Sequence, residues 1–256
     1  MNEADDRLRA GDLGGARRAL VEVVRRDPGN VPNRMFLFQL LAIAGEWDKA
    51  KAQLGSLAQL SPEAQMLSVV YGQAIEAERQ REAVFAGTIR ADIHGGAEWA
   101  APLAAALEAE AQGRADEAER LREAGFDSAP DTPGQLNEIP FDWIADADPR
   151  FGPTLEAIIG GRYGWLPFAS VTEIVSEGPR DLRNIVWYPV EITLASGPRI
   201  AALLPARYPG QAHDPAETLA RATSWGEDGR GSGQRVLITS GDEDHGLLSL
   251  RSLRFG

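Results

Sequence analysis

Apolar positions in the first half of the chain recur at helical spacing, and the pattern repeats as a unit of 34 residues. Each unit carries a glycine, an apolar residue two positions later, a buried-type alanine and a closing proline. The first two units match at Gly11 and Gly45, Leu13 and Trp47, Ala16 and Ala50, Leu20 and Leu54, and Pro28 and Pro62; a later unit repeats Gly113, Ala115, Ala118 and Pro130. A period of this length predicts a stack of helical pairs.

The period and the residue types are typical of the tetratricopeptide repeat. Its glycine allows the turn between paired helices, its alanine permits close helix contact, and its proline ends the second helix. The intervening unit, residues 65–96, lacks the matching Gly and Pro, but its apolar residues are still three and four positions apart. We therefore expect a right-handed helical arc over residues 1–130, with a concave face of the kind that holds peptides or helices.

The pattern changes after Pro130. Residues 131–140 are rich in turn formers and are predicted to be a linker. The rest, 141–256, is predicted to be a small β-rich domain of mixed structure, so the chain as a whole belongs to the α+β class. Its predicted elements are a short helix at 153–160, strands at 170–175, 185–193, 199–204 and 235–239, and a mobile loop at 225–234.

One hairpin is predicted with particular detail. Ser196, Gly197 and Pro198 interrupt two runs of β-branched and apolar residues. In the first run the alternation of Val190, Ile192 and Leu194 predicts that one face of the hairpin is buried.

The amino-acid composition excludes or disfavours several classes of function. The chain has no cysteine, which excludes disulfides, thiol catalysis and the usual zinc fingers. Its net charge is −12 and no basic stripe is present, which argues against nucleic acid and anionic membranes as partners. The charged N-terminal stretch does not resemble a secretory signal, and no apolar run is long enough for a membrane span, so a cytoplasmic protein is expected.

No motif indicates catalysis, a cofactor or a metal. There is no G-x-S-x-G elbow, no His-Glu-x-x-His helix and no phosphate-binding glycine loop. The alternative to a binding protein is a hydrolase or metal-dependent enzyme that uses His213 with Asp214, or the cluster from Asp242 to His245. Four adjacent side chains point in different directions, however, and a solvated turn is the more frequent role of such a cluster.

Aromatic residues and arginines are concentrated in the second half, which holds four of the six tryptophans. Core packing is the more frequent role of a single tryptophan, but aromatics and arginines also dominate protein contacts. The candidate protein-binding residues are Trp165, Arg183, Trp187, Tyr188, Arg207, Tyr208 and Trp225. Within the stiff ALLPARYPG segment we expect Tyr208 to brace the two domains and Arg207 to contact a partner.

Long ordered segments of the chain resemble one protein family. The matching segments are FLFQLLAIAGEWDKAKAQL, FDWIADADPRFGPTLEAIIGGRYGWLPF, RDLRNIVWYPVEI, ALLPARYPG, LARATSW and LLSLRSLRF. They are similar to the ImpE family, also called SciE or TagJ, whose members are accessory proteins of bacterial type VI secretion systems. The resemblance covers nearly the whole chain.

The resemblance implies a cytoplasmic, non-enzymatic adaptor with a helical repeat domain and a mixed C-terminal domain. It also implies a partner, the N-terminal helix of the small sheath subunit TssB, and through it proximity to the ClpV ATPase. The family offers no catalytic residues, and we expect the helix to bind in a groove at the domain junction. A generic tetratricopeptide co-chaperone is a third hypothesis, but Lys49 and Lys51 are too few for a carboxylate clamp.

Overall fold

The computed structural model describes residues 3–210, 212, 214–241 and 243–256. In this part of the chain a helical layer precedes the strands, which confirms the predicted α+β class. The helical layer consists of α1 (Glu3–Arg9), α2 (Leu13–Arg26), α3 (Val31–Ile43), α4 (Trp47–Leu57), α5 (Pro62–Phe85), α6 (Ala101–Ala111) and α7 (Ala115–Asp127).

The repeat glycines lie in the turns that the spacing predicts. Gly11, Gly45 and Gly113 have φ of 81°, 68° and 76° and directly precede α2, α4 and α7. This left-handed conformation is readily adopted by glycine, which explains its recurrence at these turns. The repeat alanines Ala16 and Ala50 are fully buried, as close helix packing requires.

The third repeat unit departs from the pattern. Pro62 is the first residue of α5 and does not end α4, which stops at Leu57. Ser61 caps α5, its side chain accepting a hydrogen bond from the Ala64 amide at 3.1 Å. The helix runs for 24 residues, and the segment 86–100 that follows holds two short 3-10 turns and a single bridge from Ile93 to Trp165. The unit therefore supplies one long helix in place of a pair.

The second half is dominated by antiparallel strands. They are β1 (Gly134–Leu136), β2 (Ile139–Phe141), β3 (Ile144–Asp146), β4 (Thr154–Ile159), β5 (Arg162–Pro167), β6 (Val171–Val175), β7 (Trp187–Leu194), β8 (Arg199–Pro205), β9 (Thr223–Trp225), β10 (Gly231–Gly233), β11 (Val236–Thr239), β12 (Asp244–Gly246) and β13 (Ser252–Phe255), with a short helix α8 (Pro215–Thr218). The main sheet has the order β2-β1-β13-β6-β7-β8-β4-β5, beside a β12-β11-β3 sheet and a β9-β10 hairpin.

The predicted helix at 153–160 is wrong. Residues Thr154–Ile159 form β4, which pairs with β5 along its whole length across a turn at Gly160 and Gly161. Nearly every residue of both strands is buried, so neither shows the alternation by which a strand is recognised. A proline before the run and a glycine after it then resemble helix ends.

Two segments predicted to lack regular structure belong to sheets. The expected linker 131–140 contributes β1 and the start of β2 to one end of the main sheet. The expected loop 225–234 contains most of the β9–β10 hairpin, with Trp225 paired to Gly231. Glycine is needed at position 231 because a Cβ there would lie 2.3 Å from the Tyr208 ring.

The β7–β8 hairpin is confirmed, with Thr193 opposite Arg199 across the predicted turn. Its β7 strand divides two cores. Tyr188, Val190 and Ile192 point into a core between the main sheet and the smaller strands, whereas Trp187 points into a core shared with the helices. One face of the main sheet is therefore the surface on which α5 and the rest of the helical layer pack.

Candidate functional site

Four of the seven candidate binding residues lie inside the protein. Trp165, Trp187 and Tyr188 have no exposed surface, and Tyr208 retains 4%. The Trp187 ring lies between Trp47 of α4 and Tyr71 of α5, at centroid distances of 5.8 and 5.6 Å. These contacts join the start of β7 to the helical layer, so Trp187 presents no surface to a partner.

The polar atoms of the other buried aromatic candidates are hydrogen-bonded within the chain. The Trp165 Nε1 donates a hydrogen bond to the Tyr163 hydroxyl at 3.0 Å. The Tyr188 hydroxyl donates to the Leu250 carbonyl at 2.6 Å, and the Tyr208 hydroxyl donates to Asp146 Oδ1 at 2.9 Å. The polar atoms that distinguish Tyr and Trp from Phe are thus used within the chain.

Arg207 holds the ends of two helices. Its Nη1 donates to the Ile43 carbonyl at the end of α3, at 3.1 Å, and to the Thr218 carbonyl at the end of α8, at 2.8 Å. Burial lowers the pKa of Arg207 to about 10, although Glu78 nearby favours the charged form. A cation beside unpaired C-terminal carbonyls stabilises a helix end, so this side chain braces the repeat domain against the strands.

Arg183 and Trp225 reach the surface at separate places. Arg183 pairs with Asp181 and lies over the Tyr71 ring, with its Cζ 5.0 Å from the centroid. Trp225 lies on the β9–β10 hairpin and is 43% exposed. Its ring contacts the Tyr208 ring at a centroid distance of 5.6 Å. Arg183 and Trp187 thus lie on the Tyr71 side of the domain junction, Trp225 lies on the Tyr208 side, and Tyr188 lies in the other core, so the seven residues do not come together at one place.

The junction itself is built around a buried arginine. Arg235 is fully buried between the rings of Phe151 and Tyr208, with its Cζ 4.3 and 4.9 Å from their centroids. It pairs with both Asp146 and Glu156. Each ring face adds a cation–π contact to the ion pairs.

A second arginine ties α5 into the same network. Arg81 donates from Nε and Nη2 to the two oxygens of Glu156, at 2.7 and 2.8 Å. Burial opposes ionisation of Glu156, but Arg81 and Arg235 outweigh it and lower its pKa. Asp146 pairs with Arg235, and burial raises its pKa to about 6. The network neutralises its own charges across the domain junction.

An uncovered apolar stripe runs along the first half of α5. Met66, Val69 and Val70 are 74%, 59% and 44% exposed and lie at i, i+3 and i+4. In the second half of the helix the same side packs on β5, where Gln80 Oε1 accepts a hydrogen bond from the Tyr163 amide at 3.1 Å. The stripe is therefore the continuation of a packed helix face beyond the end of its cover.

Beside the stripe, the main sheet has an open apolar surface. Val70, the last residue of the stripe, encloses with Gln73, Ala74 and this surface a groove of about 800 Å³, which we call the α5 groove. Its floor consists of cross-strand neighbours on β4, β6, β7 and β8, namely Ile158, Val175, Pro189, Ala201 and Leu203. Ile158 and Leu203 also belong to the core shared with the helices, so the floor continues the packed face of the sheet.

The rim of the α5 groove is polar and internally paired. Glu177 forms an ion pair with Arg180, and Glu191 forms one with Arg199. Ser176 Oγ donates to the Pro189 carbonyl at 2.8 Å. An apolar floor within a polar rim is the general composition of a protein-binding surface.

Comparison with known proteins decides the family. The ImpE protein family model matches residues 138–254, and a tetratricopeptide repeat model matches residues 7–70. The type VI secretion system accessory component TagJ of Pseudomonas aeruginosa is 46% identical over 255 residues, which cover 98% of this chain and 90% of the relative. The chain belongs to the ImpE family.

A crystal structure shares the fold of this ImpE family member. Protein VPA1032 from Vibrio parahaemolyticus superimposes with a TM-score of 0.90, covering 100% of this chain and 98% of the other, at 21% sequence identity. The shared architecture spans both the helical repeats and the sheets.

In the described part of this ImpE family member, the residues of the enzymatic alternative form no catalytic or metal site. His213 and Asp242 lie outside the described residues, while Asp214 caps α8, accepting from the Glu217 amide at 2.9 Å. No three His, Asp or Glu residues among those described are placed to hold a metal ion. None of the described helices is both long enough and apolar enough to cross a membrane.

The sequence of α5 carries a signal for the α5 groove, namely apolar residues on two sides of the helix. Helical periodicity alone does not show which of the two sides is covered. On α5 of this ImpE family member, Tyr71 and Ile75 are buried while Val69 and Val70 are exposed, so the helix is apolar on two sides. A helix that is apolar on more than one side needs more than one neighbour. The second neighbour, β5, covers only the second half of the helix, because the β4–β5 turn lies beside Gln73.

Proposed function

We propose that this chain is a non-enzymatic adaptor of the type VI secretion apparatus that binds the N-terminal helix of the small sheath subunit TssB in the α5 groove. The observation that carries the proposal is the groove between Val70 and an open face of the main sheet, with the exposed Met66 and Val69 continuing the apolar surface along α5. The 46% identity to a type VI secretion accessory component supports the setting. The protein works in the cytoplasm, where TssB also brings it close to the ClpV ATPase.

The groove favours a helix as its occupant. The apolar side chains of α5 recur at helical spacing, so an adjacent helix packs its own i, i+3 and i+4 residues between them. The same helix covers Pro189 and Leu203 on the sheet, as α5 itself covers the neighbouring strands. An extended strand would need a free sheet edge, whereas the groove floor lies in the middle of the main sheet.

Apolar contact provides the affinity in this arrangement. Full burial of a Val or Met side chain contributes roughly 1.5–3 kcal/mol, and the stripe offers three of them. The rim charges are already paired within the chain, so they orient the helix and add little energy. Binding should therefore depend weakly on salt concentration.

The test uses a labelled peptide of the TssB N-terminal helix encoded in the same genome. Replacing Val70 with Asp removes apolar contact and puts a charge in the groove, so we expect the Kd to rise about 30-fold or more. Isothermal titration calorimetry measures this, with Ile89→Asp as the matched control because Ile89 is equally exposed and lies outside the groove.

Two results would contradict the proposal. Absence of binding to the unsubstituted protein at high micromolar peptide would show that TssB is not the partner. If Val70→Asp and Ile89→Asp weaken peptide binding equally, TssB is still the partner but the α5 groove is not its binding surface.

A further inference from the structure

The polar side chains that line the α5 groove differ in what they already bind. Glu177 and Arg180 pair with each other, and Glu191 pairs with Arg199. Ser176 uses its hydroxyl twice, donating to the Pro189 carbonyl and accepting from the Gly178 amide at 3.2 Å. These groups have their hydrogen bonds within the chain.

Gln73 is the exception. It continues the apolar stripe at i+7 from Met66, and its side chain is exposed. Among the residues that the structure describes, its amide has no hydrogen-bond partner. The stem of the side chain lies against the β4–β5 turn, where a Cβ on Gly161 would approach Gln73 Cβ to 3.0 Å. The amide thus projects from a supported position at one end of the groove.

We infer that Gln73 sets the register of the bound helix, through hydrogen bonds to one uncharged polar side chain of that helix. This rests on the function proposed above. An amide buried by the partner costs free energy unless it is hydrogen-bonded, so a helix that places a polar group opposite Gln73 is favoured over the same helix shifted by one turn. A single polar residue in an apolar helix contact fixes register in the same manner in coiled coils.

The partner group is an Asn, Gln, Ser or Thr side chain. The primary amide of Gln73 offers both a donor and an acceptor, which these side chains can match. A charged group would lose its hydration in the groove without finding a counter-ion, because the lining residue Arg180 is already paired with Glu177. The site therefore selects against a charge at this position.

A double-mutant cycle with the labelled TssB peptide tests the inference. On the protein, Gln73→Leu removes the amide, and Gln65→Leu is the matched control, since Gln65 is exposed on the same helix and does not line the groove. On the peptide, each Asn, Gln, Ser and Thr is replaced in turn by Ala. Fluorescence anisotropy gives the Kd of each combination, and circular dichroism checks that the variants are folded.

We expect Gln73→Leu to weaken binding about tenfold and Gln65→Leu to leave it unchanged. One peptide position should show coupling: its replacement weakens binding to the unsubstituted protein and has no further effect on Gln73→Leu. The inference is overturned if Gln73→Leu behaves like Gln65→Leu, or if its effect adds to that of every peptide substitution. Failure of the unsubstituted protein to bind, or insensitivity to Val70→Asp, identifies the proposed function itself as the error.

Discussion

The domain junction and the α5 groove use opposite chemistry for packing a helix on a sheet. At the junction, α5 meets the sheet through Arg81, Glu156 and Arg235, together with fully buried aromatic rings. In the groove, the same helix and the same sheet present Val, Ala, Ile, Leu and Pro, with the charges at the rim. The region rich in tryptophan and arginine is the permanent contact, and the plain aliphatic region is the one left open.

This difference has a physical reason. A buried arginine with two carboxylates needs a fixed geometry, which a covalently continuous chain can hold at all times. An intermolecular site that assembles and separates would expose such unpaired charges each time the partner leaves. Aliphatic side chains tolerate both states, because their exposure costs only the hydrophobic term.

The largest expected effect comes from breaking the junction at Arg235. Arg235→Ala leaves Asp146 and Glu156 without a shared cation and opens a space between two rings, so the free energy of unfolding should fall by about 3–5 kcal/mol. Urea denaturation measures it, with Arg199→Ala, which removes a surface ion pair, expected to cost under about 1 kcal/mol. Similar losses in the two variants would show that the junction is not held by this network.

A paired substitution separates the two regions more sharply. Trp187→Ala removes a ring packed between Trp47 and Tyr71 and should lower the free energy of unfolding by about 3–5 kcal/mol. Met66→Ala lies on the exposed α5 stripe beside the groove and should change stability by less than about 0.5 kcal/mol, while weakening the binding of the TssB peptide severalfold. Urea denaturation and calorimetry on both variants give the two values.

The opposite pattern would reverse the assignment of the two regions. If Trp187→Ala kept full stability and lost binding, the aromatic residues would be the partner surface, as the sequence analysis proposed. If Met66→Ala lowered stability strongly, the stripe on α5 would be part of the core.

The helical repeats were predictable because their turns impose a local requirement. A positive φ at Gly11, Gly45 and Gly113 favours glycine whatever lies around it, so the period appears in the sequence. The strand β4 was not predictable in this way. It is buried on both faces, and whether an apolar run becomes a helix or a strand there depends on its pairing with β5 and with β8, the latter about 40 residues along the chain.

The candidate site was less predictable than the fold. Trp187 and Arg207 have the residue types of a binding surface, but the same types stabilise a junction between two domains of one chain. Only the packing distinguishes the two cases. The α5 groove depends on the β4–β5 turn lying beside the middle of α5, a long-range feature that no local pattern of Met66 and Val69 encodes.

The smallest expected effect is a pH dependence at the junction. His94 lies beside β4, with Nε2 3.3 Å from the Ala157 carbonyl, and burial lowers its pKa, partly offset by that carbonyl and by Asp92. The folded protein therefore takes up this proton less readily than the unfolded chain, so the contribution of neutral His94 is present above about pH 6.5 and is lost as the pH falls below it. His94→Gln should remove this part of the decline in the free energy of unfolding between pH 7.5 and 5.5, measured by urea denaturation at each pH.

Asp146, whose pKa is raised to about 6, shifts stability in the opposite direction over the same range, but it is present in both proteins and cancels in their difference. Parallel pH profiles for the two proteins would show that His94 is solvated equally in the folded and unfolded states.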